Sequence, residues 1–437
     1  MGSPVRTAES PLSPPSPRFV FRRSTVRQVS AIAALTILFC ISLLSVSVAG
    51  MGVNYVFVLL PVVAALMDGR LRSPGSTFLI AAAVYIFVFF AASLYQYEFA
   101  ADSVRRLASF AIFMGIFSYA FMTIDEPKVV AFKTALILMS CYFSLMSVYG
   151  LLNLEATRAI VGFEAKNLIG TQRIGYVYLL ALWVVYLDPQ QRKLWGLMRY
   201  PIMGVLLAGL LLTFSRSSIV ALLASGGLFT LSRHGDWLKR LDVRSALNGV
   251  VTLIGVAILV ALLYSLFPLA FRFFDTRLFG FFSSEQTVVT AIIDPGTSEG
   301  TRVYIAIQIL EFIVRNPLTG SGYLGPWVLR DPLFGSAHNQ YLDVLFRTGP
   351  AGLGLYVIML VVMMRYLKRS QQGLYWGMVA ALFYGLFHET FKESQGAFIF
   401  AFLVGMTAQA WRDRRDARRR ARADVTPPSV VPAAVPD

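Results

Sequence analysis

Few residues in this chain can do acid–base or charge-stabilising chemistry. Of three histidines in 437 residues, one lies in GSAHNQYLDVLFRTG, Gly335 to Gly349, with Asn339, Gln340 and Tyr341 directly behind it. If Ser336 caps the helix that follows, His338 falls in its first turn, where the positive helix end disfavours imidazolium. A neutral imidazole accepts a proton, which is the part of a general base; the alternative is a histidine that only hydrogen-bonds at the membrane interface. His388 and Glu389, in FHETFKES, stand at another helix boundary and are read as supporting residues together with Asn339, Gln340 and Tyr341. His234 lies in a basic connection and reads as a solvated surface residue. Three arginines complete the set: Arg216 in LLTFSRSSIV, Arg302 beside Gly300 and Thr301, and Arg173 in GTQRIGY. A guanidinium near hydrocarbon costs about 2.5–3.5 kcal/mol unless paired or wet, so such residues either line a cavity or snorkel to the interface. Arginine also stays charged and grips phosphate oxygens with a two-pronged geometry. The sequence has no acidic pair with metal-ligand spacing, no HExxH, no P-loop and no dinucleotide fingerprint. The expected chemistry is metal-free and needs no cofactor, with arginines stabilising charge on a departing diphosphate.

The elements that must position these residues are membrane helices. The chain is 56% hydrophobic and only 14% charged, with mean hydropathy +0.63, whereas soluble domains carry about 25% charged residues. Apolar runs of roughly 15 to 22 residues match helices crossing a bilayer core. Spans are expected at 29–49, 53–67, 76–96, 107–124, 129–150, 174–187, 201–214, 217–231, 250–267, 351–366, 373–390 and 397–411. The fold class is thus an all-α integral membrane protein with about 12 transmembrane helices and a large outer loop carrying amphipathic helices, a loop that the resemblance given below makes periplasmic.

The net charge of +15 comes from basic clusters between apolar runs. Arg70 and Arg72, then Arg192, Lys193 and Arg199, then Arg233, Lys239, Arg240 and Arg244, then Lys368 and Arg369, and the C-terminal RDRRDARRRARAD all fall on one side of this topology. That bias sets orientation rather than nucleic-acid binding, and it puts both termini in the cytoplasm. Residues 1–27 read as a disordered Pro/Ser-rich tail, 28–411 as the membrane domain, and 412–437 as a basic, Pro-rich cytoplasmic tail. Both cysteines, Cys40 and Cys141, lie in apolar runs, so no disulfide framework is implied. The longest outer connection, 268–350, is too long for a plain connector. Within it TRVYIAIQILEFIVRNPLTGSG reads as an amphipathic helix stopped by Asn316-Pro317 and turned by Gly320-Ser321-Gly322. On this map His338, Arg216, Arg302 and Arg173 all face the outer compartment.

Four features together resemble the O-antigen ligase/polymerase superfamily: the layout, TFSRSS at 213–218, GTRVYIAIQILEFIVRNPLTGSGYLG at 300–325 and SAHNQYLDVLFRTGPAGLGLY at 336–356. The layout extends over the whole chain, while the specific motifs lie within 201–360. The resemblance implies a metal-independent C-type membrane glycosyltransferase of the bacterial inner membrane, with its site facing the periplasm. The implied donor is an undecaprenyl-diphosphate-linked glycan, and in the ligase branch the acceptor is a sugar of lipid A–core. By the same resemblance His338 deprotonates the acceptor hydroxyl, and Arg216 and Arg302 hold the diphosphate. Arg173 matches no family motif and rests on topology. A polymerase would use another lipid-linked glycan as acceptor, and a protein O-oligosaccharyltransferase would use Ser or Thr. A transporter or flippase for an anionic lipid-linked substrate is the alternative from another class, although the paired broken helices common in transporters are not evident.

Overall fold

The computed structural model describes residues 126–152, 174–213, 215–234, 298–318, 320–321, 324–329, 336–390 and 394–425, with a few residues between 32 and 52. The expected spans 53–67, 76–96, 107–124 and 250–267, most of 29–49, Arg173 and the tail 1–27 lie outside the described residues. Among those described the chain is helical, apart from a short antiparallel ladder of β1 (Ser47–Val48) with β2 (Met51–Gly52), where the first apolar run ends.

The helices are α1 (Glu126–Leu152), α2 (Gly175–Leu187), α3 (Pro189–Trp195), α4 (Arg199–Leu212), α5 (Arg216–His234), α6 (Ser298–Arg315), α7 (Gln340–Ser370), α8 (Gln372–Tyr384) and α9 (Ser394–Val425). Among the described residues three stretches, Glu126–Tyr149, Pro189–Leu212 and Gln340–Ser370, are long and apolar enough to cross a membrane. The expected spans at 129–150, 174–187, 201–214, 217–231, 373–390 and 397–411 each overlap one of these helices, and 351–366 lies inside α7.

At the centre α2 is apolar all round, and every residue but Tyr186 is buried, as expected of a helix enclosed by others. It packs antiparallel against α8. Gly373 and Gly377 of α8 make this approach possible: a Cβ at either would lie 2.9 Å from the Cα of Val184 or Leu180 respectively. Small residues four apart are the common device for close helix contact in lipid, where no hydrophobic force drives association. Gly209 of α4 is likewise seated against Ser144 of α1 and Tyr178 of α2. Phe132 stacks on Phe402 at 4.2 Å, joining α1 to α9.

The end of the bundle holding the α2–α3 corner is closed by polar groups. Asp188 caps α3, accepting from Gln190 N at 3.0 Å and Gln191 N at 3.1 Å. The same carboxylate pairs with the ammonium of Lys133, and both are buried. Gln191 Nε2 donates to Thr134 Oγ1 at 3.1 Å, and Trp195 Nε1 donates to Gln191 Oε1 at 2.9 Å.

Two boundaries differ from the sequence expectation. Helix α7 starts at Gln340, ten residues before Pro350, and runs through it. Proline removes the N–H that would bond the carbonyl four residues earlier; here the Phe346 carbonyl instead accepts from Ser321 N at 2.7 Å. The backbone kinks at Gly349 (φ 67°), and Gly320 (φ +57°) packs against Phe346 and Gly349. The part of α7 before Pro350 is therefore locked into the kink. At the C-terminus the helix that holds the expected span 397–411, α9, continues to Val425, because Arg and Ala are strong helix formers.

Candidate functional site

At the end of the bundle opposite Asp188, four helices begin within reach of one another. Gly175, opening α2, lies against the Ser218 hydroxyl and the ring of Tyr384. Ser218 belongs to the first turn of α5, whose start is set by the Ser215 carbonyl accepting from Ser218 N at 3.1 Å. Gly396, near the start of α9, lies against the Thr390 carbonyl and the Tyr176 hydroxyl. Helix α7 joins through the segment before it, which is bonded to the end of α8 as described below.

Arg216 is the first residue of α5 and is exposed. The hydroxyls around it bond one another: Ser215 Oγ to Ser217 Oγ at 2.6 Å and Thr213 Oγ1 to Ser218 Oγ at 3.4 Å. A cation at a helix N-terminus opposes the helix dipole, and an anion bound there would reverse that penalty. Arg302 lies in the second turn of α6, half-buried, with its guanidinium within electrostatic reach of the Tyr384 phenol. Helix α6 is held by Ile305, Ile309 and Ile313, which pack with Ala337 and Phe346. The i, i+4, i+8 spacing puts them on one face, as the amphipathic reading required.

His338 is placed differently from the expectation. Ser336 does not cap α7. Asn339 does, accepting from Tyr341 N at 2.8 Å and Leu342 N at 3.0 Å. His338 thus stands one residue ahead of the cap, with φ 51°, the one non-glycine with positive φ among the described residues. Ser336 Oγ accepts from His338 N at 3.2 Å, so its hydroxyl forms a local turn instead. A histidine in this conformation is costly and is kept only where its surroundings over-determine it.

Those surroundings include most of the other expected residues. Glu389 Oε1 accepts from Ala337 N at 2.7 Å, and Asn339 Nδ2 donates to the Leu386 carbonyl at 2.9 Å. Gln340 N donates to the Gly385 carbonyl at 2.8 Å, and Tyr341 Oη to the Leu382 carbonyl at 3.0 Å. Asn339, Gln340, Tyr341 and Glu389 therefore tie the His338 segment to the end of α8. His388 stacks on Tyr384 at 4.7 Å. Arg173 lies outside the described residues, directly ahead of the buried Ile174. His234 is the last residue of α5, at that helix's far end from Arg216.

Two features escaped the sequence reading. Tyr384 is fully buried and links α2, α5 and α6 through Gly175, Ser218 and Arg302. Nothing in the sequence separates it from an ordinary core aromatic. Asp343 and Arg347 form a largely buried ion pair, Nε to Oδ2 at 2.7 Å, one turn inside α7; their i, i+4 spacing was the available signal.

Arg216, Arg302 and the His338 segment are thus carried by helix starts that meet around the C-terminal end of α8. No curated protein matches the chain. Residues 201–357, which carry all three, match the model of a family described as O-antigen ligase, and over that stretch the chain is similar to that family.

Proposed function

We propose that the protein is an O-antigen ligase that transfers a glycan from undecaprenyl diphosphate to a sugar hydroxyl of lipid A–core, at the periplasmic face of the bacterial inner membrane. In this reading His338 takes the proton of the acceptor hydroxyl. The acceptor oxygen attacks the anomeric carbon from the side opposite the diphosphate, forming the new glycosidic bond with inversion. The bond from that carbon to the diphosphate oxygen breaks, its electron pair stays on the oxygen, and undecaprenyl diphosphate leaves. Arg216 and Arg302 hold the diphosphate and spread its growing charge, a task that otherwise falls to a metal ion. Glu389 and Asn339 hold the segment that presents the imidazole.

The observation that carries this reading is the placement of Arg216, at the first residue of a helix, and Arg302 around one end of α8, where the His338 segment is also bonded. Helix N-termini with added guanidinium groups suit a diphosphate, and the family match spans the same three residues.

The test is incubation of purified protein with a lipid-linked glycan and three acceptors. Sugar on lipid A–core is the expected product. Sugar on a second lipid carrier would make the protein a polymerase, and sugar on protein Ser or Thr a protein O-oligosaccharyltransferase. Movement of labelled substrate across vesicles with no new glycosidic bond would make it a transporter.

A further inference from the structure

At the end of the bundle away from Arg216 and His338, α9 outlasts its apolar stretch. Counting about 1.5 Å per residue from Ser394 puts Arg414 roughly 30 Å along the axis, the thickness of the hydrocarbon core. Arg418 and Arg419 follow within about 8 Å, the depth of one headgroup layer. Arg414, Arg415, Arg418 and Arg419 are all exposed, and their i, i+1, i+4, i+5 spacing aligns them along one stripe. The acids are segregated from them: Asp413 and Asp416 share the opposite flank with Arg420. A merely solvated helix would intersperse the two signs.

A second helix adds to the same corner. The Arg414 guanidinium lies 5.8 Å over the ring of Tyr366 in α7, and the surrounding turns of α7 expose Arg365, Lys368 and Arg369. Two basic helix ends are thus held side by side, and an anion between them relieves the repulsion. The neighbouring α2–α4 corner marks the membrane interface at this end. Leu194, Leu197 and Met198 are 56%, 84% and 62% exposed there, next to exposed Arg192 and Lys193, as in a segment lying at the headgroup boundary.

We propose that the exposed arginine stripe of α9, with the basic end of α7, is a binding site for the phosphodiester headgroups of anionic phospholipids in the leaflet where these helices emerge. The site fixes the depth of α7 and α9 and is separate from the transfer reaction.

The test uses the full-length protein in detergent, offered equal phosphatidylglycerol and phosphatidylcholine, with bound lipid counted by native mass spectrometry. A cation at the membrane surface contributes about five-fold to anionic-lipid binding, the equivalent of ~1 kcal/mol. Wild type should therefore retain phosphatidylglycerol over phosphatidylcholine by at least about ten-fold. R414Q/R415Q/R418Q/R419Q should lower the ratio by at least about five-fold, the basic residues of α7 keeping what preference remains, while the four-lysine variant keeps most of the preference. Thermal unfolding of both variants monitors folding, and retention by the lysine variant stands on its own. Inorganic phosphate, glycerophosphate and polyglutamate supply the competing arms. No preference in wild type, an unchanged preference in the glutamine variant or its loss in a folded lysine variant would overturn the proposal. So would displacement by a soluble phosphate, meaning a soluble-anion site, or by polyglutamate, meaning an acidic protein surface.

Discussion

His338 combines a basic side chain with a backbone conformation that most residues avoid, and the two can be separated by mutation. Asparagine tolerates positive φ well. His338→Asn should keep the fold, with a melting temperature close to wild type, while glycosyl transfer falls by about 10²-fold or more, the usual contribution of a general base. His338→Ala should lose transfer equally. Near-wild-type turnover in reconstituted protein for either variant would remove the imidazole from the mechanism. At Arg216 and Arg302 the fork matters as well as the charge. Arg216→Lys and Arg302→Lys should each weaken donor turnover by about ten-fold or more, measured with lipid-linked glycan; full activity in both lysine variants would end the diphosphate clamp. These residues were legible because their types are rare or costly where they stand. Tyr384 was not, since burial of a tyrosine is ordinary until its neighbours are known.

Among elements, the junction of α6 and α7 gives the sharpest expectation. Gly320 has φ +57°, and a side chain there would run into the Phe346 carbonyl. Gly320→Ala should destabilise the protein by about 1–3 kcal/mol, the scale of backbone strain at such a position, read as a lower midpoint in thermal unfolding; an unchanged midpoint would show that the junction yields. The amphipathic face of α6 was legible from its period. A helix following Ser336 was legible too, but its passage through Pro350 was not, because a proline ordinarily marks a helix boundary and here a distant serine N–H replaces the missing bond. The cap was likewise misplaced: Ser336 and Asn339 are both good capping residues, and the asparagine's third hydrogen bond, to the Leu386 carbonyl just past α8, depends on tertiary placement.

At the scale of the molecule the two ends of the bundle are chemically unlike. One gathers Arg216, Arg302 and the His338 segment; the other is closed by the buried Lys133–Asp188 pair. Breaking a buried pair from one side leaves a stranded charge, so Lys133→Met should cost about 3–5 kcal/mol, seen as lost thermal stability or yield. If a folded fraction is recovered, its turnover per molecule should match wild type; a stable but inactive Lys133→Met would instead tie that end to the chemistry. Transfer should also persist in excess EDTA. Activity that vanishes and returns on adding a divalent cation would contradict a reaction run by guanidinium groups. The membrane class was plain from hydropathy, and so were most helix positions among the described residues. The pairing of α2 with α8 was not, since glycines four apart are common in apolar helices and gain meaning only from the helix opposite.

The bond from Ser321 to the Phe346 carbonyl has a practical consequence for anyone seeking to redirect the enzyme. The loop and the first ten residues of α7 form a single inheritable cassette. A chimera spliced just ahead of Gln340 would pair one protein's turn with another's bend and lose both. A splice at Pro350 or beyond would carry the pair across intact, and one beyond Glu389 would also leave the imidazole in its own setting.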